Sequence, residues 1–431
     1  MRRLLTAGII VAVAGGLTLG SAAAFDRRFE PATTPAAAAG PDRISTADLT
    51  ADVAQLQRHL RTQPRDAAGW ATLGLAYVEQ ARLTADPSYY PKAEGVLRRS
   101  LQESPRRNAA ALAGLGALAA ARHDFAGALR YADASLAVDP YGTRANGVRI
   151  DALVELGRYP EALAAARRAD SLRPGIPIFT RLAYVQELRG RSGEARRILL
   201  GVSATDPGDT AYVETQLGEL AWNSGDRREA GRRFAAALRA DASYLPALDG
   251  RARVRAAEGD TAGAVRDLRD VVARLPLPSY VIGLGELYES LGRGDEARRQ
   301  YAVARTWERL AAADGVSTDL ETALFAADHG DPAEALRAAR AEWGRRRSLH
   351  VADALAWALH VSGRDREALG YAEQATRTGY RNALFRYHRG MIEKALGRRA
   401  DARRDLAAAL HLNPWFSPLQ APRARAALEA L

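Results

Sequence analysis

Residues 70–77 read Trp70-Ala71-Thr72-Leu73-Gly74-Leu75-Ala76-Tyr77. The bulky groups at 70, 73 and 77 recur three and four apart, which places them on one face of an α-helix. Partial copies of the same arrangement follow downstream: Leu112, Leu115 and Gly116, then Leu217 and Gly218, then Leu284, Gly285 and Tyr288. A pattern that returns along a chain points to a repeat, so the period is the next quantity to read.

An alanine marks that period. It stands at Ala93, Ala128, Ala162, Ala195, Ala230, Ala264, Ala297, Ala335, Ala368 and Ala402, at intervals between 33 and 38 residues. Five residues before most of these alanines is a glycine, from Gly157 and Gly190 through Gly363 and Gly397. Twelve residues after many of them is a proline, as at Pro105, Pro140, Pro174, Pro207, Pro276 and Pro414. The glycine predicts the end of one helix, because it tolerates the left-handed conformation of a C-terminal cap. The acidic residue that usually precedes the alanine, such as Glu161 or Glu367, suits the positive end of the next helix. The alanine leaves room for a neighbouring helix, a bulky residue follows it at Phe234, Leu268, Tyr301 and Leu406, and the proline closes the unit.

These residues resemble the tetratricopeptide repeat family. The resemblance implies an all-α fold, a right-handed α-solenoid of about ten helix-turn-helix repeats, covering roughly residues 64–416. A lone helical pair cannot bury its apolar face, and stacked neighbours bury it for each other. Two irregularities are expected to show. About seven extra residues between Tyr77 and Ala93 predict a longer loop between the first two helices. The 38-residue interval before Ala335 predicts an extended helix after Ala297 or a longer exit loop near Asp314-Gly315. The expected organisation is a signal or anchor over 1–24, a Pro/Ala-rich linker over 25–45, a leading helix and solenoid over 46–416, and a closing segment over 417–431.

The N-terminus carries Met1-Arg2-Arg3, an apolar run from Leu4 to about Ala24, and then Asp26, Arg27 and Arg28. Basic start, apolar core and small residues before the exit are the pattern of a secretory signal. The run also approaches the ~20 residues that span a bilayer, so an uncleaved anchor is the alternative. Either reading places the rest of the chain outside the cytoplasm, secreted or tethered, with membrane contact only through the N-terminal segment if it stays uncleaved.

The 431 residues contain no cysteine, which excludes a disulfide framework, Cys-ligated zinc and a thiol nucleophile. The formal charge is +10, mild for this length. None of the seven histidines forms a metal-binding pair at helical spacing, so no metal and no cofactor is expected. Gly114-Leu115-Gly116 mimics part of a dinucleotide fingerprint, but no strand precedes it. No catalytic constellation is found, and the chain is read as a non-enzyme. Arginine pairs such as Arg98-Arg99 and Arg232-Arg233, and the run Arg345-Arg346-Arg347, are read as solvated helix faces. Without interleaved aromatics they do not predict nucleic-acid binding.

The family resemblance implies that first helices line the concave face and that peptides bind there. Carried over position by position, that face includes Asp151, Glu155, Tyr184, Glu187, Tyr212, Glu219, Trp222, Asn223, Asp249, Arg253, Glu286, Glu289, Asp328, Asp353, Trp357, His360, Tyr387 and Lys394, with Arg144 at its edge. These positions are largely acidic in a basic chain, so the expectation is a negative groove with aromatic anchors that binds basic or mixed segments of other proteins. The function expected is a protein-interaction scaffold. The alternative is an assembly factor, because Leu56, Leu60, Pro64, Gly69, Trp70, Leu73 and Tyr77 look like the repeat domains of cytochrome c maturation factors.

Overall fold

The computed structural model describes residues 46–431; the stretches read as signal or anchor (1–24) and linker (25–45) lie outside the described residues. A leading helix α1 (Thr46–Thr62) precedes α2 (Ala67–Thr84) and α3 (Tyr89–Glu103). Then come α4 (Ala109–Ala121) with α5 (Phe125–Val138), α6 (Thr143–Glu155) with α7 (Tyr159–Leu172), and α8 (Ile176–Leu188) with α9 (Ser192–Leu200). The middle holds α10 (Pro207–Asn223) with α11 (Arg227–Ala240), α12 (Leu245–Glu258) with α13 (Thr261–Arg274), and α14 (Pro278–Ser290) with α15 (Gly294–Ala313). The chain continues with α16 (Asp319–His329) and α17 (Pro332–Arg345), α18 (Leu349–Val361) and α19 (Asp365–Thr376), and α20 (Ala383–Ala395) and α21 (Arg399–Leu412). A last helix, α22 (Gln420–Glu429), packs on α21 and α20. The protein is an α-solenoid of ten helical pairs, with no strand among the described residues.

Packing explains the periodic residues. All ten marker alanines are at most 2% exposed. Phe234, on α11, is fully buried, and a Cβ added to Gly218 of α10 or Gly250 of α12 would stand only 2.6 or 2.4 Å from its ring. Gly74, Gly218, Gly285 and Gly390 of first helices are therefore holes, filled from the second helix by Leu97, Phe234, Tyr301 and Leu406, the bulky residue four after the alanine. Close packing of this kind leaves no slack for an extra methyl group.

The turns between paired helices use left-handed glycines, with φ of 74° at Gly157, 75° at Gly190, 78° at Gly225 and 73° at both Gly363 and Gly397. Gly330 is the exception, with φ −136°. It precedes Asp331-Pro332, and the proline at the start of α17 draws Asp331 into an extended conformation that opens the turn. His123 takes the glycine's place in its unit with φ 61°.

The two irregularities both lengthen helices. The extra residues of the first unit extend α2 to 18 residues and leave only a short connection before α3. The expected longer loop is thus corrected: Tyr77-Val78-Glu79-Gln80-Ala81-Arg82 contains no breaker, so the helix simply continues. The 38-residue interval extends α15 to 20 residues.

First helices of consecutive units touch along most of the array, as α2 with α4, α4 with α6, α6 with α8, and α16 with α18, whereas among the described residues no two second helices make a comparable contact. The first helices therefore lie at the smaller radius. The array winds tightly enough that one superhelical turn rests on the next. His123 Nδ1 lies 2.7 Å from the carbonyl oxygen of Ser317, 194 residues on. Leu349 N donates to the hydroxyl oxygen of Tyr159 at 2.8 Å, and Thr378 Oγ1 to the carbonyl of Leu188 at 2.7 Å, each across 190 residues. Asn413 Nδ2 donates to the carbonyl of Trp222 at 2.9 Å, across 191 residues. Successive helical turns of one edge thus seat on successive loops of the other, and with a unit of about 34 residues the superhelix closes roughly every 5.6 units.

Candidate partner-binding face

The inner face is built by the first helices, whose apolar stripe points outward into the pair and whose remaining positions point to the superhelix axis. On α6 and α8, Asp151 receives two bonds from Arg181, at 2.9 and 2.8 Å. On α8 and α10, Asn223 Nδ2 donates to Glu187 at 3.1 Å. On α10 and α12, Arg253 bonds Glu219 and, at 3.1 Å, Asp249, while its guanidinium stands 5.5 Å from the Trp222 ring. On α14 and α16, His329 sits 3.3 Å from Glu286 and stacks at 4.4 Å on Tyr301, whose hydroxyl donates to Glu289.

Asp151, Glu187, Glu219 and Glu286 are each met by a partner one unit further along. This spacing places a donor of one first helix beside an anion of the previous one, so the lining is a ladder of pairs. The expected face contained these acids together with Asn223 and Arg253, and the pairing turns the expected negative groove into a lining of partnered charges. Arg253, expected on this face, neutralises Glu219; Arg181, which neutralises Asp151, was not expected there, and its place on the first helix α8 was the signal available in the sequence.

Four expected anchors are core residues. Tyr212 is 7% exposed, Trp222 6%, Trp357 5% and Tyr387 2%. Tyr212 donates to Thr180 at 3.3 Å, and Trp357 Nε1 donates to Asp328 at 2.9 Å with its ring stacked 4.1 Å from His388. Asp353 is buried with His388 Nδ1 at 2.9 Å. Glu155 is also buried, paired with Arg346 of the next superhelical turn. The expectation that Tyr212, Trp222, Trp357, Tyr387, Asp353 and Glu155 offer themselves to a partner is corrected, because neighbouring helices and the second turn cover them. Glu187, Glu219, Asn223, Glu286, Glu289 and Asp151 keep partial exposure. Tyr184, expected on this face, is half-buried there, and two half-buried tyrosines that were not expected, Tyr244 and Tyr280, join it on first helices or at their starts.

The electrostatics show how enclosed this face is. Burial pushes the Glu187 carboxyl up to about 7, against the hydrogen bond from Asn223, and the Glu219 charge adds to the rise. Burial also raises Asp249, opposed by Arg253, and Glu286, opposed by His329. Burial alone would lower His329, but Glu286, Asp328 and Glu289 raise it on balance. The hydroxyls of Tyr184, Tyr244 and Tyr280 are raised by burial although the side chains keep partial exposure. A side chain that meets solvent yet is strongly desolvated lies in a narrow space with protein on every side.

The arginine run at the end of α17 is corrected at one position. Arg346 is 4% exposed, bonded to Glu155 and Glu342 and stacked over the Phe125 ring at 4.7 Å. Its neighbours Arg345 and Arg347 remain on the surface. Among the described residues, no group of three or more His, Cys, Asp or Glu side chains could hold a metal ion, and no helix is long and apolar enough to cross a membrane.

No protein-family model and no curated protein matches the sequence. Solved structures do. The chain is similar to a thermophilic TPR protein of Thermus thermophilus, with 24% identity, 44% of this chain and 98% of that one covered, and a TM-score of 0.38. It is similar to a tetratricopeptide repeat protein from Parabacteroides merdae, with 18% identity, coverage of 59% and 97%, and a TM-score of 0.34. It is also similar to a chain of the APC/C hetero-tetramer Cut9–Hcn1, with 14% identity, coverage of 89% and 87%, and a TM-score of 0.42. The protein is an all-helical repeat solenoid whose neighbours among solved structures are tetratricopeptide-repeat proteins.

Proposed function

We propose that the protein is a non-enzymatic scaffold, exported or membrane-tethered, that holds extended segments of other proteins along its inner face. The observation that carries this reading is the lining of that face: half-exposed tyrosines and paired charges that are strongly desolvated. Paired charges in a low-dielectric channel exchange partners with a ligand's own charges at little cost, whereas a single-sign surface would repel half of them. Extended strands present side chains alternately to both walls and suit such a channel. Glu187, Glu286 and Glu289, met by Asn223, His329 and Tyr301 rather than by arginine, bias the preference toward segments with basic residues. Export rests on the charge and hydropathy pattern of residues 1–24. A narrower reading, an assembly or maturation factor, rests on the resemblance carried by Leu56 to Tyr77.

Panning a library of displayed unstructured peptides tests the scaffold reading. Enrichment of extended basic or mixed sequences is expected, with affinity falling at least about tenfold when Glu219, Glu286 and Glu289 are all replaced by Lys. Equal capture by that variant, with its helical content intact, would remove the inner face from the account. N-terminal sequencing of the mature product tests export.

A further inference from the structure

The wall of the superhelix is loosest around α14. Elsewhere consecutive helices meet backbone to backbone, but among the described residues α15 and α16 do not, and α14 makes no close contact with the first helices on either side, α12 and α16. Long side chains span the gap between α15 and α16 instead. Tyr301 meets Phe325 at 5.5 Å and His329 at 4.4 Å, the Arg305 guanidinium stands 5.5 Å from the Phe325 ring, and Glu308 is hydrogen-bonded to Thr322. The turns at Gly259 and Gly292 also face open space, whereas those at Gly157, Gly190 and Gly225 are covered by the next superhelical turn.

The far end of the α14–α15 hairpin is anchored. Trp307 and Ala311, on the extended end of α15, pack with Val316 against Tyr90 of α3, and the Ser317 amide donates to the Arg122 carbonyl at 3.1 Å. The two irregular units of the repeat thus meet each other and fix a pivot. On the inner side, the polar contact between the hairpin and α16 centres on His329. Its ring nitrogens lie 3.3 Å from Glu286 and 3.6 Å from Glu289, both on α14, and the ring stacks on Tyr301 of α15. The groups facing that ring are Glu286 and Glu289 from α14, Tyr301 from α15 and Asp328 from α16 itself, with Arg305 one turn along α15 over Phe325. Asp328 also accepts from Trp357 and Gln420, both at 2.9 Å.

We propose that the α14–α15 hairpin is a door in the wall of the superhelix: it pivots at Trp307 and Val316, is latched to α16 by His329, and is released as pH rises, giving lateral access to the inner face. A loosely packed element held by a few polar contacts belongs to the low-stability end of a structure and opens first. The carboxylates of Glu286, Asp328 and Glu289 outweigh burial and raise His329, so the charged latch is complete below the ordinary value of 6.5 and is lost as pH rises through the raised one. Glu308 acts in the same direction. Burial and the charges of Glu334 and Glu321 push it up to about 7, against Thr322 and Arg305, and its ionisation above that adds a third negative charge to the joint. An extended segment inside a folded partner cannot thread a closed tube from its end, so it needs a side entrance. Entry of such a segment rests on the scaffold function proposed above; the opening of the door does not.

The cysteine-free chain allows a direct test. Gly283, on α14 one turn before Glu286, has open space where a Cβ would stand. In Gly283→Cys, the labelling rate with a maleimide attached to branched dextran is divided by the rate with N-ethylmaleimide, so the thiol's own titration cancels. The ratio should be well below one at about pH 6 and rise at least about threefold by about pH 8. Adding His329→Gln should raise the ratio at about pH 6 by at least about threefold, with the helical circular dichroism unchanged. Amide exchange in the unsubstituted protein gives a second reading: α14 should lose protection relative to α4 over the same range. A ratio that is near one throughout, or that does not change with pH, overturns the proposal. So does a His329→Gln protein as closed as its parent at about pH 6, and parallel exchange in α14 and α4 removes the opening itself.

Discussion

Arg346 at the end of α17 extends its guanidinium to the carboxylate of Glu155, 191 residues earlier at the end of α6. Both side chains are buried, and the same guanidinium also holds Glu342. The pair joins two superhelical turns that the chain connects only through the units between them.

Removing this guanidinium leaves two carboxylates inside the protein with one cation fewer. Arg346→Leu should cost about 3–5 kcal/mol, the range for breaking a buried pair from one side. The neighbour on the surface supplies the control: Arg347→Ala should change stability by less than about 1 kcal/mol. Chemical denaturation of the three proteins decides it. Equal midpoints for both variants would mean that the turns are not held together here.

Glu155 also makes stability depend on pH. Burial pushes its carboxyl up to about 7; Arg346 opposes the rise, and Asp151, Glu321 and Glu342 add to it. Between the ordinary value of 4.5 and about 7, the folded state therefore binds more protons than the unfolded state. Stability then falls as pH rises through that window and levels off above it. Glutamine mimics the protonated form and does not titrate. Relative to Glu155→Gln, the parent protein should lose up to about 3 kcal/mol across that window. Other groups that titrate here, Glu187 and Glu308 upward to about 7 and His350 downward to about 4, are common to both proteins and cancel in the difference. Melting curves of both proteins at closely spaced pH values measure it; parallel curves would show that Glu155 titrates normally.

Two glycines of equal conformation separate backbone strain from contact between turns. Gly225 and Gly259 have φ of 78° and 87°. A Cβ on Gly225 would lie 2.0 Å from the carbonyl oxygen of Leu412 on the next turn, while one on Gly259 meets nothing within 4 Å. Gly259→Ala should cost about 1 kcal/mol, the left-handed penalty alone. Gly225→Ala should cost about 3 kcal/mol or more, because a main-chain carbonyl must also move. Similar costs from urea titration would contradict the closed winding.

Phe234 is the knob shared by two units. Phe234→Ala should cost about 3–5 kcal/mol. The loss should be local, so hydrogen exchange should quicken first in α10, α11 and α12, while α2 to α5 keep their protection. Uniform acceleration would show that the solenoid unfolds as one cooperative block.

The repeat was legible because its residues answer to their nearest neighbours. The marker alanine, the glycine opposite Phe234 and the left-handed turn glycine each solve a problem within one unit or between two, so their spacing repeats and can be read. The acids of the inner face were legible for the same reason. Asn223 and Arg253 were legible on the same face, but which acid each meets was not, because the pairing runs between helices. The pair Arg346–Glu155 and the seat of Gly225 against Leu412 were beyond reach for a different reason. They depend on how far the array turns per unit, which is the sum of many small rotations set by side-chain packing. A small difference at each junction would open the coil and carry Arg346 away from Glu155. Local pattern determines that helices pair and stack; only the accumulated curvature decides which residues nearly two hundred positions apart become neighbours.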